Sequence, residues 1–298
     1  MALTRRSFIG TSTAALAAGT LGRYLWPGLT LSAQNQRQPP TPVVTELRRN
    51  VGTFTAQGGT IGWLVNAGGA IAVDSQFPAT APMAVDELLK RSNKAEIAML
   101  INTHHHGDHT GGNGVFRPKT KTIVGHENVP KYMRSGVPPD KTVGDRWSTS
   151  LGDEQIVTRH YGPAHTGGDI VIVFEKANVA HMGDLMFNRA HPVIDRTNGA
   201  SIANWSQVLR KAASDLSADT IYIYGHAGNS FPVTGSRADL LHHANYLEAL
   251  LEYVRAQVKA GKTRDEVIAL RETIKGFEDY GPLIARPLGP AYDEIVER

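Results

Sequence analysis

Four histidines and one aspartate fall within six residues at His104-His105-His106-Gly107-Asp108-His109, after the apolar run Ile97-Ala98-Met99-Leu100-Ile101 and before Gly111-Gly112. Imidazole and carboxylate together suit zinc or another borderline divalent cation. An extended chain turns alternate side chains to one side, so His104 and His106 share a face. Asp108 and His109 are neighbours and point apart, which lets one loop serve two metals. A histidine tag or metal-scavenging tail lacks the embedded aspartate, the preceding strand and the paired glycines. Three further candidates lie downstream. His165 stands in Gly162-Pro163-Ala164-His165-Thr166-Gly167-Gly168-Asp169, just before the strand-like residues 170–174. Asp184 ends an apolar strand at Gly183-Asp184, where each carboxylate oxygen can take one of two cations. His226 follows the strand at 220–224, in Gly225-His226-Ala227-Gly228.

The order His-x-His-x-Asp-His resembles the signature of the metallo-β-lactamase superfamily. The Gly-Asp-x-x-Phe form at 183–187 resembles that of its glyoxalase II-like and lactonase-like members, and Gly225-His226 resembles the superfamily's last motif. The match runs in motif order over roughly residues 47–230. The resemblance implies an α/β fold, a four-layer αββα sandwich with metals at one edge between the sheets. It implies two Zn2+ per chain, with Fe or Mn as alternatives. His104, His106 and His165 would surround one, Asp108, His109 and His226 the other, and Asp184 would be shared. Two carboxylates against four positive charges leave a net positive site that favours a bridging hydroxide. Zinc lowers the pKa of bound water from about 15.7 towards 7, so a nucleophile forms without serine or cysteine.

The implied function is a dinuclear zinc hydrolase that uses a metal-bound hydroxide on a small-molecule carbonyl substrate: an ester, thioester, lactone or β-lactam. Asp108 is the expected catalytic residue, holding the nucleophile through its free oxygen. Two other readings share the ligand set: a non-haem iron persulfide dioxygenase and a catalytically silent binding protein. The chain departs from parts of the family. With no cysteine it cannot match the β-lactamases that use a Cys ligand, and the basic carboxy-terminal glutathione-binding pattern of glyoxalase II has no counterpart. Position 106 is His where flavodiiron proteins would carry Glu.

The elements that must position these residues are legible as short Val-, Ile- and Thr-rich strands at 47–54, 59–66 and 70–74, a helix at 79–91 and a buried strand at 97–102. The same resemblance makes Asp74, at a strand end, a candidate to orient a ligating imidazole; read by itself it is a helix cap or a surface carboxylate. Residues 130–153 read as a polar loop-rich stretch able to cover substrate. Asp169 reads as a loop carboxylate or a partner to a ligand, His181 as a packed core histidine, and His191 as a substrate contact at the mouth. Amphipathic helices follow at 204–216 and from Asp239 to Gly261, the second carrying His242 and His243 as surface or packing residues. A short helix at 263–270 and a tail broken by Pro282, Pro287 and Pro290 complete the chain.

Thr4-Arg5-Arg6-Ser7-Phe8, a weakly apolar stretch and Leu31-Ser32-Ala33 resemble a twin-arginine export signal over residues 1–33. The run is interrupted by Gly, Thr and Arg23, which makes a stable membrane span a poor reading. A Gln- and Pro-rich linker is expected at 34–44 and the metallo-β-lactamase domain, with its carboxy-terminal helices, at 45–298. The expected partners are the export machinery and a small-molecule substrate, and the expected location is periplasmic or secreted. Removing residues 1–33 takes three of 31 basic residues and none of 28 acidic ones, leaving 28 against 28. A neutral mature chain gives no support for a nucleic-acid surface.

Overall fold

The computed structural model describes residues 40–228 and 230–297. The expected export signal and residues 34–39 of the expected linker lie outside them. Val43 and Val44, expected in that linker, already belong to the first strand.

The first sheet runs in chain order: β1 (Val43–Arg48), β2 (Val51–Thr55), β3 (Ile61–Asn66), β4 (Gly69–Val73), β5 (Met99–Ile101), β6 (Ile123–His126) and β7 (Lys141–Val143). Neighbours from β1 to β4 are antiparallel and those from β4 to β7 parallel. The expected strand at 47–54 is two strands, because Arg49 and Asn50 both take positive φ (49° and 60°) and close a two-residue hairpin. Parallel pairing requires crossovers. These carry α1 (Ala81–Ser92), then α2 (Gly107–Thr110) and α3 (Asn113–Phe116), then α4 (Val129–Tyr132).

The second sheet comprises β8 (Arg146–Leu151), β9 (Glu154–Arg159), β10 (Val171–Phe174), β11 (Val179–His181), β13 (Ile221–Ile223) and β15 (Thr234–Gly235), in the order β15-β13-β11-β10-β9-β8. A parallel pair of β12 (Phe187–Asn188) and β14 (His226–Ala227) stands apart. Residues 130–153 are therefore not one long loop. Their second half forms β7 and β8, and only the segment after α4 stays irregular. Four helices close the chain: α5 (Ile202–Asp215), α6 (Arg237–Lys259), α7 (Arg264–Ile268) and α8 (Ala285–Val296). The last replaces the broken tail expected from its prolines. Pro287 lies near its start and Pro290 inside it, yet Leu288 and Ala291 are fully buried against the α5–α6 layer.

Three cores stack these elements into four layers. Trp63, Phe54 and Leu100 of the first sheet meet Ala84, Val85 and Leu88 of α1. Val51, Leu64 and Ile71 on the sheet's other face meet Ile156, Ile172 and Ile223 of the second sheet. Val171, Val173 and Tyr222 on the far face of the second sheet meet Trp205, Leu209, Leu247 and Leu250 of α5 and α6. This is the expected αββα sandwich. Among the described residues no helix is long and apolar enough to cross a membrane.

The register fixes where polar side chains emerge. Val73 pairs with Ile101, so Asp74 and Thr103-His104 leave the first sheet at the same edge. His181 pairs with Ile223 in the parallel β11–β13 pair, so Asp184 and His226, each three residues on, leave the second sheet together. Both exits are at the carboxyl ends of parallel strands, where a sheet has no further ladder to satisfy and loops can converge.

Candidate metal centre

The structure brings all seven candidate ligands into two groups that share Asp184: His104, His106, His165 and Asp184, and Asp108, His109, Asp184 and His226. In the first, His104 Nε2 is 3.1 Å and His165 Nε2 2.9 Å from His106 Nδ1. In the second, His226 Nε2 lies 3.4 Å from His109 Nε2 and 3.1 Å from Asp108 Oδ2. Asp184 Oδ1 is 2.9 Å from His109 Nε2, and its Oδ2 is 3.4 Å from His165 Nε2 and 3.3 Å from His226 Nε2.

The outward partners of these rings decide what the inward atoms carry. Asp74 Oδ2 accepts from His109 Nδ1 at 2.7 Å. The Val193 carbonyl accepts from His165 Nδ1 at 2.9 Å, and Asp195 Oδ2 from His106 Nε2 at 3.0 Å. Thr103 Oγ1 donates to Asp74 Oδ2 at 2.7 Å, which leaves it to accept from His104 Nδ1 at 3.0 Å. Each neutral ring therefore turns an unprotonated nitrogen inward. Three such lone pairs about 3 Å apart repel one another unless a cation stands between them. Ligand nitrogens 2.0–2.1 Å from a tetrahedral zinc would sit about 3.3 Å from each other, close to the spacing found. Asp184 Oδ2 lies 3.4 Å from His165 Nε2 and 3.8 Å from His104 Nε2 at the edge of that space, while its buried Oδ1 faces His109 Nε2 in the second group. The residues present fit a pair of divalent cations.

Protonation follows the same geometry. Burial drives the His165 imidazole down to about 3, and burial with neighbouring His109 takes His104 well below its usual value. Burial would also lower His226, but Asp184 and Asp108 override it and raise the ring to about 9. Burial would raise the Asp184 carboxyl, and the His109 and His226 imidazoles override that and hold it well below the carboxylate range. Without metal, protons bridge the second group, and burial keeps the His104 and His165 rings of the first neutral.

Glycines permit this crowding. A Cβ on Gly225 would lie 2.0 Å from Asp184 Oδ1, and one on Gly59 would lie 2.1 Å from the His109 ring.

Residues 55–226, more than half of the chain, match the family described as the metallo-beta-lactamase superfamily. The chain belongs to that superfamily. Metallo-beta-lactamase IND-1 of Chryseobacterium indologenes is 20% identical over 166 residues, which is 55% of this chain and 70% of that protein. A hydroxyacylglutathione hydrolase of Maricaulis maris is 33% identical over 105 residues, covering 34% of this chain and 40% of that hydrolase. The matched segment thus spans less than half of the second relative. A solved metallo-beta-lactamase from Pontibacter korlensis superposes at a TM-score of 0.61 over 70% of this chain and 99% of its own, at 17% identity, a likeness of fold. These relatives place the chain among the metal-dependent hydrolases of the superfamily.

Within this superfamily member the residues around the ligands sort clearly. Asp74, left between two roles by sequence, takes the first: fully buried with φ 66°, it holds His109 directly and His104 through Thr103. Asp169 is a loop carboxylate. It accepts from the Thr166 amide and hydroxyl at 2.8 and 2.7 Å and shapes the loop presenting His165; burial raises its carboxyl to about 7. His181 is a core histidine, donating to the Thr60 carbonyl. His191 is not at the mouth: it is buried, with Nδ1 bonded to the Tyr246 hydroxyl and Nε2 to the Pro282 carbonyl, so neither nitrogen is left for substrate. His243 is fully buried against Tyr246 and Tyr280, and His242 sits beside Asp279.

Sequence reasoning missed Asp195. It is fixed by Thr197 Oγ1 and Asn198 Nδ2 at 2.8 and 2.7 Å, stands 3.3 Å from His105 Nε2, and orients His106. The available signal was Asp-x-Thr-Asn, a pattern that folds a carboxylate onto its own turn. Two cavities meet at His106. One of about 250 Å³ is walled by Phe187, Val193, Ala227 and Arg286, and one of about 460 Å³ by His105, Tyr132, Arg134 and Asn198.

Proposed function

We propose that this superfamily member is a dinuclear zinc hydrolase of a carbonyl compound: an ester, thioester, lactone or β-lactam. His104, His106 and His165 hold one ion, Asp108, His109 and His226 the second, and Asp184 both. The observation that carries this reading is the convergence of inward ring nitrogens from both groups on the two oxygens of the buried Asp184. Imidazole with carboxylate favours zinc over magnesium or calcium, which prefer oxygen alone. Bound ions would polarise the carbonyl and activate water at neutral pH.

The chain's own residues do the rest. Asp74, Thr103, Val193 and Asp195 fix the tautomers, so no ring must reorient as reaction proceeds. Asp108, part-buried at the cavity wall, is placed to take the proton of the attacking water on a carboxylate oxygen. Phe187 stacks on His226 with ring centroids 5.1 Å apart and, with Val193 and Ala227, keeps water away from that side. Support for hydrolysis comes from the relatives: one is named a metallo-beta-lactamase, the other a hydroxyacylglutathione hydrolase.

The test is metal-loaded protein screened against nitrocefin, thioesters, lactones and aryl esters, with metal content measured on the same sample. Two zinc ions per chain and turnover that falls at least about a hundredfold in Asp184→Ala are expected. Full activity with less than one metal per chain overturns the two-metal assignment, and iron with oxygen consumption would move the chemistry to the dioxygenase reading. We also propose export through Arg5-Arg6 to the periplasm or beyond, supported by the amino-terminal pattern and tested by replacing both with lysine and following the chain by fractionation.

A further inference from the structure

A second group of metal-ligating side chains lies apart from the seven. His126 ends β6 in the first sheet, Asp145 sits in the turn between β7 and β8, and His160 follows β9 in the second sheet. One ligand atom of each comes within 4.8 Å of the others. The two imidazoles stack, with centroids 4.2 Å apart and planes 25° from parallel. His160 Nδ1 donates to the Asp169 carbonyl at 2.7 Å, so its Nε2 carries a lone pair. His126 is only 3% exposed, and its Nε2 has no hydrogen-bond partner. Its Nδ1 has one long contact, 3.3 Å from the Asn128 amide. Asp145 is exposed, and its backbone carbonyl accepts from the His160 amide at 2.8 Å, which ties the turn to the ring.

We propose that His126, Asp145 and His160 form a third divalent-cation site, for zinc or a similar borderline metal, that clamps the two sheets behind the loop carrying His165. Two imidazoles and a carboxylate supply three donors, and water completes a tetrahedral shell. The ion gives the orphaned His126 Nε2 a partner. The weak Asn128 contact is the one interaction given up, since a ring bound through Nε2 carries its proton on Nδ1. The exposed turn must close on the ion, so this site binds more weakly than the pair.

The position gives the site a consequence. Its His160 holds the carbonyl of Asp169, and Asn128, two residues beyond His126, donates from its side chain to the Gly167 carbonyl at 2.7 Å. Both ends of the clamp therefore grip the 164–169 loop. An ion there stiffens the support of His165 without entering the reaction, and the inference stands whether or not the hydrolase reading does.

Untagged protein stripped by a chelator is brought to equilibrium dialysis against zinc, and bound metal is counted at rising free concentration. Wild type should bind one ion more per chain than His160→Gln, three against two where the paired centre is full, and that ion should be at least tenfold weaker than the rest. Equal saturation of wild type and His160→Gln overturns the proposal, whatever number the paired centre holds. Should His160→Gln fail to fold, Asp145→Asn on the exposed turn gives the same reading, with loss of the third ion in support and its retention against. Thermal unfolding offers a separate check: zinc beyond two equivalents should raise the midpoint of wild type and leave the variant unmoved.

Discussion

At the scale of single residues, the chemistry of this chain rests on hydrogen bonds made away from the metals. Asp195 is the sharpest case, because it lies in the wall of the larger cavity, away from the shared carboxylate, and yet decides which nitrogen His106 presents. Asp195→Asn keeps shape and removes the charge that fixes the tautomer. Metal affinity at the His104–His106–His165 group should fall roughly 10–100-fold, read by competition with a chromophoric chelator. Unchanged affinity would mean that Val193 and Thr103 suffice to order the group. The ligands themselves were legible in the sequence because five of their donors sit in two short motifs that no core or turn requires. Asp195 was not, since its partner lies 89 positions away and only the fold brings them together. His191 misled for the converse reason. A polar turn suggested the mouth, but Tyr246 of α6 and Pro282 from the segment before α8 reach it and bury it.

At the scale of elements, the carboxy-terminal helix secures the metal side from behind. Glu294 on α8 is 2% exposed, accepts from the Ile202 and Ala203 amides at the start of α5, and pairs with Arg196 at 3.1 Å. A buried carboxylate there satisfies amides that have no partner within their own helix and meets the positive end of its dipole. Glu294→Ala leaves those buried donors unsatisfied and Arg196 with only the exposed Glu297 for a partner, a cost of about 2–4 kcal/mol, so the thermal midpoint should drop by roughly 5–10 °C in calorimetry. Because Arg196 follows Asp195, the same change should loosen metal binding. Prolines hid α8 from sequence reasoning. Local propensity disfavours a helix through Pro290, and the packing of Leu288 and Ala291 overrides it. The parallel strands, by contrast, were readable from continuous apolar runs. Beneath α8, the buried His243 makes stability depend on acid. Burial takes its imidazole down to about 3, so the folded state keeps it neutral where the unfolded chain, near 6.5, takes a proton. Its contribution is complete above pH 6.5 and is lost as pH falls from there towards 3, at up to about 1.4 kcal/mol per unit. His243→Gln should flatten the denaturation midpoint against pH across that window; an unaltered slope would assign acid sensitivity elsewhere.

At the scale of the whole molecule, the candidate metal centre joins sheets that elsewhere meet through apolar packing and a few hydrogen bonds, such as Asn66 to the Leu151 carbonyl and His181 to the Thr60 carbonyl. His104, His106, Asp108 and His109 come from the first sheet, and His165, Asp184 and His226 from the second. Ions held by both are ligands of the folded state alone. At free zinc a hundredfold above the dissociation constant they would add about 2.7 kcal/mol per site. Stripping with a chelator should lower the thermal midpoint by roughly 5–10 °C and zinc should restore it; a midpoint indifferent to chelation would separate the metals from the fold. Asp74 adds something subtler. One of its oxygens receives both the His109 ring and the Thr103 hydroxyl, and that hydroxyl in turn receives the His104 ring. A charge arriving at either position pulls on a carboxylate that serves both. If both proposed sites hold ions, their occupancies would therefore be coupled through this one carboxylate, although it touches neither ion.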